Sequence, residues 1–366
     1  MKIKPFVANY PKVELITSPK SFFSNIKYQY IEYRENGIYD KLKEPGYYVY
    51  QVRIGQKNHL GVLTLTNISE LKNDNILKHE KTLAAKEQNM MHLLLQRKAL
   101  VKPVLLGFKS NKEINQILKK ATKGKPLLSI PFKSDHELHT IWQLKNKVLV
   151  EALTDNFKKI KKAYIGDGHH RSSTVRLLNE SKKLGKEAQK YDHLYTAYFP
   201  FDQLKICDFN RVVDITEIIS IPEFIVDLSK YFEIEKLTKA LKPQKKHNVT
   251  IYIDRKWYRL RWKAKYLRSS NKEVLLDAAL INKYLFGRIL GIEDVRVDTR
   301  IQYYGGNQPL DKIENSANRK ERAVGICIYP ISIKELTAIS NLKHTLPPKS
   351  TWFLPRLKSG IIAKDL

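Results

Sequence analysis

Two cysteines in 366 residues, Cys207 and Cys327, are too few and too far apart for a disulfide framework, and neither has a C-x-x-C partner from which to build a zinc cluster. Both are expected to be reduced and structural. Long apolar runs are also lacking: no stretch approaches the roughly 18 consecutive apolar residues of a membrane span. The start, Met1-Lys2-Ile3-Lys4-Pro5, has no apolar segment behind its charges to serve as a signal peptide, so a soluble cytoplasmic protein is expected. Acidic residues are few against basic ones, 37 Asp+Glu to 66 Lys+Arg, and the formal net charge is +29. There is no Walker A motif, protein-kinase motif set, helix-turn-helix, zinc finger or aromatic RNP motif.

What remains is an ordinary globular composition. Hydrophobic residues at 42% and charged residues at 28% exclude a disordered or fibrous chain. At roughly 150 residues per domain, the length suggests about two to three domains. The basic excess would suit nucleic acid, because neutralising phosphates releases counterions. Its distribution suits a solvated lysine-rich surface better. Short runs such as Lys119-Lys120, Lys158-Lys159-Ile160-Lys161-Lys162 and Lys245-Lys246 are spread along the chain and not gathered into one arm or helix.

Strand formers over residues 46–66, interrupted by Gly55-Gln56-Lys57-Asn58, predict a hairpin. Apolar spacing predicts a helix from Thr82 to about Lys98, a buried strand over Val104–Phe108, a helix over Val148–Phe157, a short strand at Ala163-Tyr164-Ile165 and a helix from Ser172 to about Leu184. Further on, a helix over Pro222–Tyr231 and a hairpin over Val249–Ile253 and Trp257–Trp262 follow, then an apolar helix over Val274–Leu290 and a strand near Val324–Tyr329. The expected fold class is α+β, with mixed sheets and flanking helices. The expected domains are a catalytic core over 1–212, a small α+β subdomain over 213–270, and a segment over 271–366 packing back on the core.

The chemistry-bearing residues concentrate in two places. Asp167-Gly168-His169-His170-Arg171 follows a strand and opens a helix, where unpaired peptide N–H groups and the positive end of the dipole favour an anion. Gly168 lets the backbone pass close to a ligand, and Arg171 can give two hydrogen bonds to phosphate oxygens. His169, His170 and the following Ser172 add donors, and Asp167 can take a metal or a proton. Helix capping alone would explain Asp167 but not the adjacent His-His-Arg. The second place is His79-Glu80-Lys81-Thr82, where Glu80 can serve as general base for a hydroxyl or as a metal ligand. As an H-E-x-x-H zinc site it fails, because position 83 is Leu83. Arg211, in Asp208-Phe209-Asn210-Arg211, can clamp a carboxylate or phosphate or form an ion pair, and Lys349 in the Pro-rich tail can cover a site. His139 and Trp142 fit core packing.

The order Pro5-Phe6, Tyr48-Val49-Tyr50, His79-Glu80-x-Thr82, Pro103-Val104, His139-x-x-Trp142, Asp167-Gly168-His169-His170-Arg171-x-x-Thr174, Asn210-Arg211 and Pro347-Pro348-Lys349-Ser350-Thr351-x-Phe353-x-Pro355-x-x-x-Ser359-Gly360 resembles the domain-of-unknown-function 1015 family over nearly the whole chain. Two positions depart from that pattern. The acidic-arginine pair usual after the first helix's lysines is Gln88-Asn89, and the Pro-Tyr-Asp usual near the start reads Ser18-Pro19-Lys20. The pairing of H-E with D-G-H-H-R, from about Ile76 to Val175, also resembles the ParB/sulfiredoxin-like free-serine kinases, which implies such a core around residues 76–185.

That second resemblance implies a small-molecule kinase that moves a phosphoryl group from ATP or ADP to a metabolite hydroxyl, with free L-serine the leading acceptor and Mg²⁺ as cofactor. Glu80, Asp167 and His170 would be catalytic, and Gly168, His169, His170, Arg171 and Ser172 would cradle the phosphates. His79, Thr82, Arg211 and Lys349 would bind substrate, and Asp167 and Glu80 would hold the metal. Phosphoryl transfer demands mainly positioning and positive charge, which this inventory supplies. The alternatives are a ParB-like nucleic-acid-binding protein or nuclease, and a non-catalytic sensor of a nucleotide or phosphometabolite.

Overall fold

The computed structural model describes residues 1–268 and 274–366. The chain divides into two compact units, Met1–Lys205 with Pro355–Leu366, and Ile206–Leu354. The domain boundary expected at 270 lies outside the described residues. The fold class is α+β, with mixed sheets and flanking helices.

In the first unit β1 (Ile3–Lys4), β2 (Tyr47–Ile54), β3 (Lys57–Asn67), β4 (Ile76–Leu77), β5 (Val104–Phe108), β6 (Leu128–Phe132), β7 (Glu137–Leu144), β8 (Ala163–Asp167) and β9 (His193–Pro200) form a mixed sheet. Its order among the described residues is β4-β8-β5-β9-β3-β2-β7-β6, with β1 beside β3. The pairs β4 with β8 and β5 with β9 run parallel, and the remaining neighbours run antiparallel. Every residue of β5 is buried, as expected of a strand covered on both faces. The β2–β3 hairpin is tighter than the sequence suggests. Lys57 already pairs with Ile54, which confines the turn to Gly55 and Gln56, and Gly55 takes the φ of +57° that a two-residue connection needs.

Of the next three helices, the first and the third adjoin or carry the two motifs. α1 (Ala84–Arg97) ends where Lys98 turns left-handed at φ +51°. α2 (Lys147–Lys158) begins at Asn146, whose side chain accepts a hydrogen bond from the Leu149 N–H. α3 (His169–Asn179) begins three residues before the Ser172 expected from periodicity. His139 and Trp142 hold β7 in the core. The His139 ring bonds the Tyr50 hydroxyl at 2.6 Å and Glu137 at 3.0 Å, and Trp142 Nε1 donates to the Gly124 carbonyl at 3.0 Å.

In the second unit β10 (Phe209–Asp214), α4 (Ile221–Tyr231), β11 (Phe232–Leu237), β12 (Asn248–Ile253), β13 (Lys256–Trp262), β14 (Ile301–Gly305) and β15 (Ala323–Ile328) follow in order. The strands form an antiparallel sheet, β11-β13-β12-β15-β10-β14. Ser220 and Glu223 close a capping box at the start of α4. The expected separation of 213–270 from 271–366 is not how this unit is built: β15, from the later segment, inserts between β10 and β12, so both stretches share one sheet and one core. The helix expected over Val274–Leu290 is an α-helical turn, Asp277–Leu280, that widens into π-helix over Ile281–Ile289. Among the described residues no helix is long and apolar enough to cross a membrane.

Candidate functional site

The turn between β8 and α3 is shaped by its glycine. The β5–β8 pairing shifts register between Ile165 and Asp167, which re-aims the end of the strand. Gly168 then adopts φ +109°, ψ +29° and is the N-cap of α3, so Asp167 is not the cap. A Cβ at position 168 would lie 2.7 Å from a guanidinium nitrogen of Arg171, which folds back over the glycine. The Ser172 N–H, expected to face a ligand, instead closes the first helical bond to the Gly168 carbonyl at 2.9 Å. Its hydroxyl donates to the His169 carbonyl at the same distance. The helical donors left for an anion are therefore the peptide N–H groups of His169, His170 and Arg171.

Asp167 is ringed by cations. Arg171 donates to its Oδ2 at 2.9 Å and also to the Pro103 carbonyl at 3.2 Å, while Lys102 Nζ stands 3.7 Å from the same oxygen. Arg356, from the closing motif of the chain, donates to Oδ1 at 3.4 Å. Burial would raise the Asp167 carboxyl pKa, but Arg171, Arg356 and Lys102 outweigh it and hold the group far below the usual carboxylate range. Burial lowers Lys102 to about 8, with Arg171 acting in the same direction. Among the described residues the buried His170 Nδ1 and Arg171 Nε have no hydrogen-bond partner.

The second motif meets the first through His169. Glu80 Oε2 lies 3.4 Å from His169 Nδ1, and the His79 peptide N–H points at His169 Nε2 over 3.5 Å. The His79 and His169 rings pack edge to face with centroids 4.4 Å apart. Both imidazoles are buried, and burial holds His79 down at about 3 and His169 well below its ordinary value, so both are neutral. Glu80 remains part-exposed.

A carboxylate without a motif of its own joins the group. Burial would raise Glu87, in the first turn of α1, but hydrogen bonds from the Ser173 and Thr82 hydroxyls hold it below the usual range, and His170 adds to that effect. Sequence reasoning passed over Glu87, Lys102 and Arg356. Their only signals were the place of Glu87 five residues after Thr82, of Lys102 beside Pro103, and of Arg356 inside the closing motif.

Arg211 and Lys349 come together in the second unit. The fully buried guanidinium of Arg211 donates to the Phe209 carbonyl at 2.7 Å and the Lys349 carbonyl at 3.2 Å. The Lys349 ammonium stands 5.3 Å from the ring centre of Phe209. Arg211 thereby clasps the Pro-rich tail to β10.

The chain belongs to the family described as "Protein of unknown function (DUF1015)", whose model matches residues 9–279. No curated protein matches it. Among solved structures it is similar to a free serine kinase in complex with AMP, at 12% identity and TM-score 0.41 over 82% of this chain and 92% of that one. It is also similar to SbnI with C-terminal truncation from Staphylococcus aureus, at 12% and 0.42 over 81% and 85%. A conserved hypothetical protein from Pyrococcus furiosus matches at 11% and 0.41 over 83% and 94%.

Proposed function

We propose that the first unit binds the phosphates of a nucleotide, ATP or ADP, at the Asp167–Arg171 turn and transfers a phosphoryl group to the hydroxyl of a small metabolite, free L-serine being the leading acceptor. The observation that carries this reading is the gathering of Lys102, Arg171 and Arg356 around a single carboxylate at a helix N-terminus. Such a group has positive charge to spare, and phosphoryl transfer is driven by positioned positive charge more than by covalent work. The resemblance of the two motifs to the free-serine kinases supports the same reading.

In this mechanism the peptide N–H groups of His169–Arg171 hold phosphate oxygens, the three cations offset the charge that develops on them, and His170 donates a further hydrogen bond. Glu80 takes the proton of the acceptor hydroxyl, oriented by His169 beside it. Asp167 does not fit the magnesium-ligand role expected from the sequence, because both its oxygens face cations. It acts here by positioning Arg171 and Lys102, and no step runs through a magnesium ion.

The test is calorimetric titration of the chain with ATP, ADP and AMP at ordinary salt. Arg171→Ala should weaken binding at least about tenfold, since it removes a phosphate contact already made in the ground state. No binding of any nucleotide by the folded wild type would overturn the reading. The charge of +29 favours one alternative. Duplex binding that falls steeply with salt and ignores Arg171→Ala would mark a nucleic-acid protein instead.

A further inference from the structure

The H-E-x-x-H pattern fails as a zinc site in the sequence because position 83 is leucine, but the fold supplies the missing imidazole from elsewhere. His79, Glu80 and His169 each offer a ligand atom, and the three atoms lie within 4.8 Å of one another. From these residues we infer that the first unit carries a divalent metal site of the zinc class, ligated by His79, Glu80 and His169.

Several observations argue for an ion and for its class. Metal–ligand bonds of about 2.0–2.2 Å put ligand atoms about 3 to 4 Å apart, so a pair at the full 4.8 Å would close by about 1 to 2 Å, a shift within reach of the part-exposed Glu80 side chain. Glu80 Oε2 and His169 Nδ1, at 3.4 Å, already stand at a bridging separation. Ligation through His169 Nδ1 places the ring proton on Nε2, and the contact that must give way is the His79 peptide N–H at 3.5 Å, the upper limit of a hydrogen bond. Two imidazoles with one carboxylate form a donor set for zinc, manganese or iron, whereas magnesium prefers oxygen donors and keeps its waters. The two histidines are fixed in buried positions, while Glu80 is part-exposed, so the ion would keep an open coordination position on the solvent side. Asp167, the ligand expected with Glu80, is excluded because its oxygens are occupied by Arg171, Lys102 and Arg356.

The inference rests on these three residues and not on phosphoryl transfer, so the experiment is run without nucleotide. Chain stripped with a chelator and dialysed is titrated with Co²⁺, read by its visible absorption, and with Zn²⁺, read by calorimetry and by competition against bound Co²⁺. The expected result is saturation near one equivalent, displacement of Co²⁺ by Zn²⁺, and no displacement by a large excess of Mg²⁺. His169→Ala and Glu80→Gln should each weaken Co²⁺ binding at least about 100-fold. Because burial makes His79→Ala a risk to folding, His79→Asn serves as the companion variant, with circular dichroism confirming the fold. Absence of saturable Co²⁺ and Zn²⁺ binding by the folded wild type would overturn the proposal. So would binding that survives the double variant Glu80→Gln/His169→Ala, since the ion would then sit on other histidines. Nucleotide affinity measured on the stripped chain is read separately, so loss of either reading leaves the other standing.

Discussion

Glu80 Oε2 stands 3.4 Å from Nδ1 of His169, and that contact joins two motifs that are remote in the chain. His169 is the first residue of α3, directly after the glycine that shapes the turn, so the contact brings Glu80 against the start of that helix. The residue proposed as the base and the turn proposed to hold phosphate therefore belong to one unit and touch through His169.

If Glu80 is the base, Glu80→Gln should lower turnover by roughly 10²- to 10⁴-fold while nucleotide affinity, measured by calorimetry, stays within about twofold. Turnover equal to that of the wild type on an identified acceptor would assign the proton transfer to another group, with Glu87→Gln and Asp167→Asn the next variants to test.

If the turn binds an anion as proposed, Lys102 should make that binding depend on pH. Burial lowers its pKa to about 8, so the ammonium is present below that pH and lost as pH rises through it, whereas a bound phosphate favours the charged form. Affinity for a nucleotide should therefore fall between pH 7 and 9. Lys102→Arg, whose guanidinium stays charged, should flatten the profile. A wild-type affinity independent of pH over that range would remove Lys102 from the site.

Asp167→Asn removes the carboxylate that Arg171, Lys102 and Arg356 share and leaves like charges facing one another. Unfolding stability without ligand should drop by about 1 to 3 kcal/mol, a moderate value for a part-exposed network. Inorganic phosphate should restore part of the lost melting temperature by supplying the missing negative charge. A variant as stable as the wild type, or one that phosphate does not rescue, would show that Asp167 does not balance this cluster.

Gly168→Ala tests the turn itself. At φ +109° an alanine is strained, and its methyl group would press on the Arg171 guanidinium at 2.7 Å. A loss of about 1 to 3 kcal/mol in stability together with weaker nucleotide binding is expected. Thermal melts and titrations unchanged from the wild type would mean that the turn does not require this conformation.

Local signals determined what depends on near neighbours. Alternating and continuous apolar runs marked the β2–β3 hairpin and the buried β5, and the Asp-Gly-His-His-Arg run marked the turn between β8 and α3. The start of α3 was misjudged because Gly168 caps it by backbone conformation alone, which periodicity does not register. The partners of Asp167 and Glu80 were another matter. Lys102 and Arg356 are two among 66 basic residues, and their places beside Pro103 and inside the closing motif do not say which carboxylate they meet. His169 read as a phosphate donor until the fold brought His79 and Glu80 against it. Likewise the later strand β15 joined β10 and β12 in one sheet, where composition suggested a break. Sequence patterns record which side of an element avoids water, a property of each residue and its neighbours. Which distant charges meet is decided by strand order and by the return of the C-terminal segment to the first unit, and only the tertiary structure carries that information.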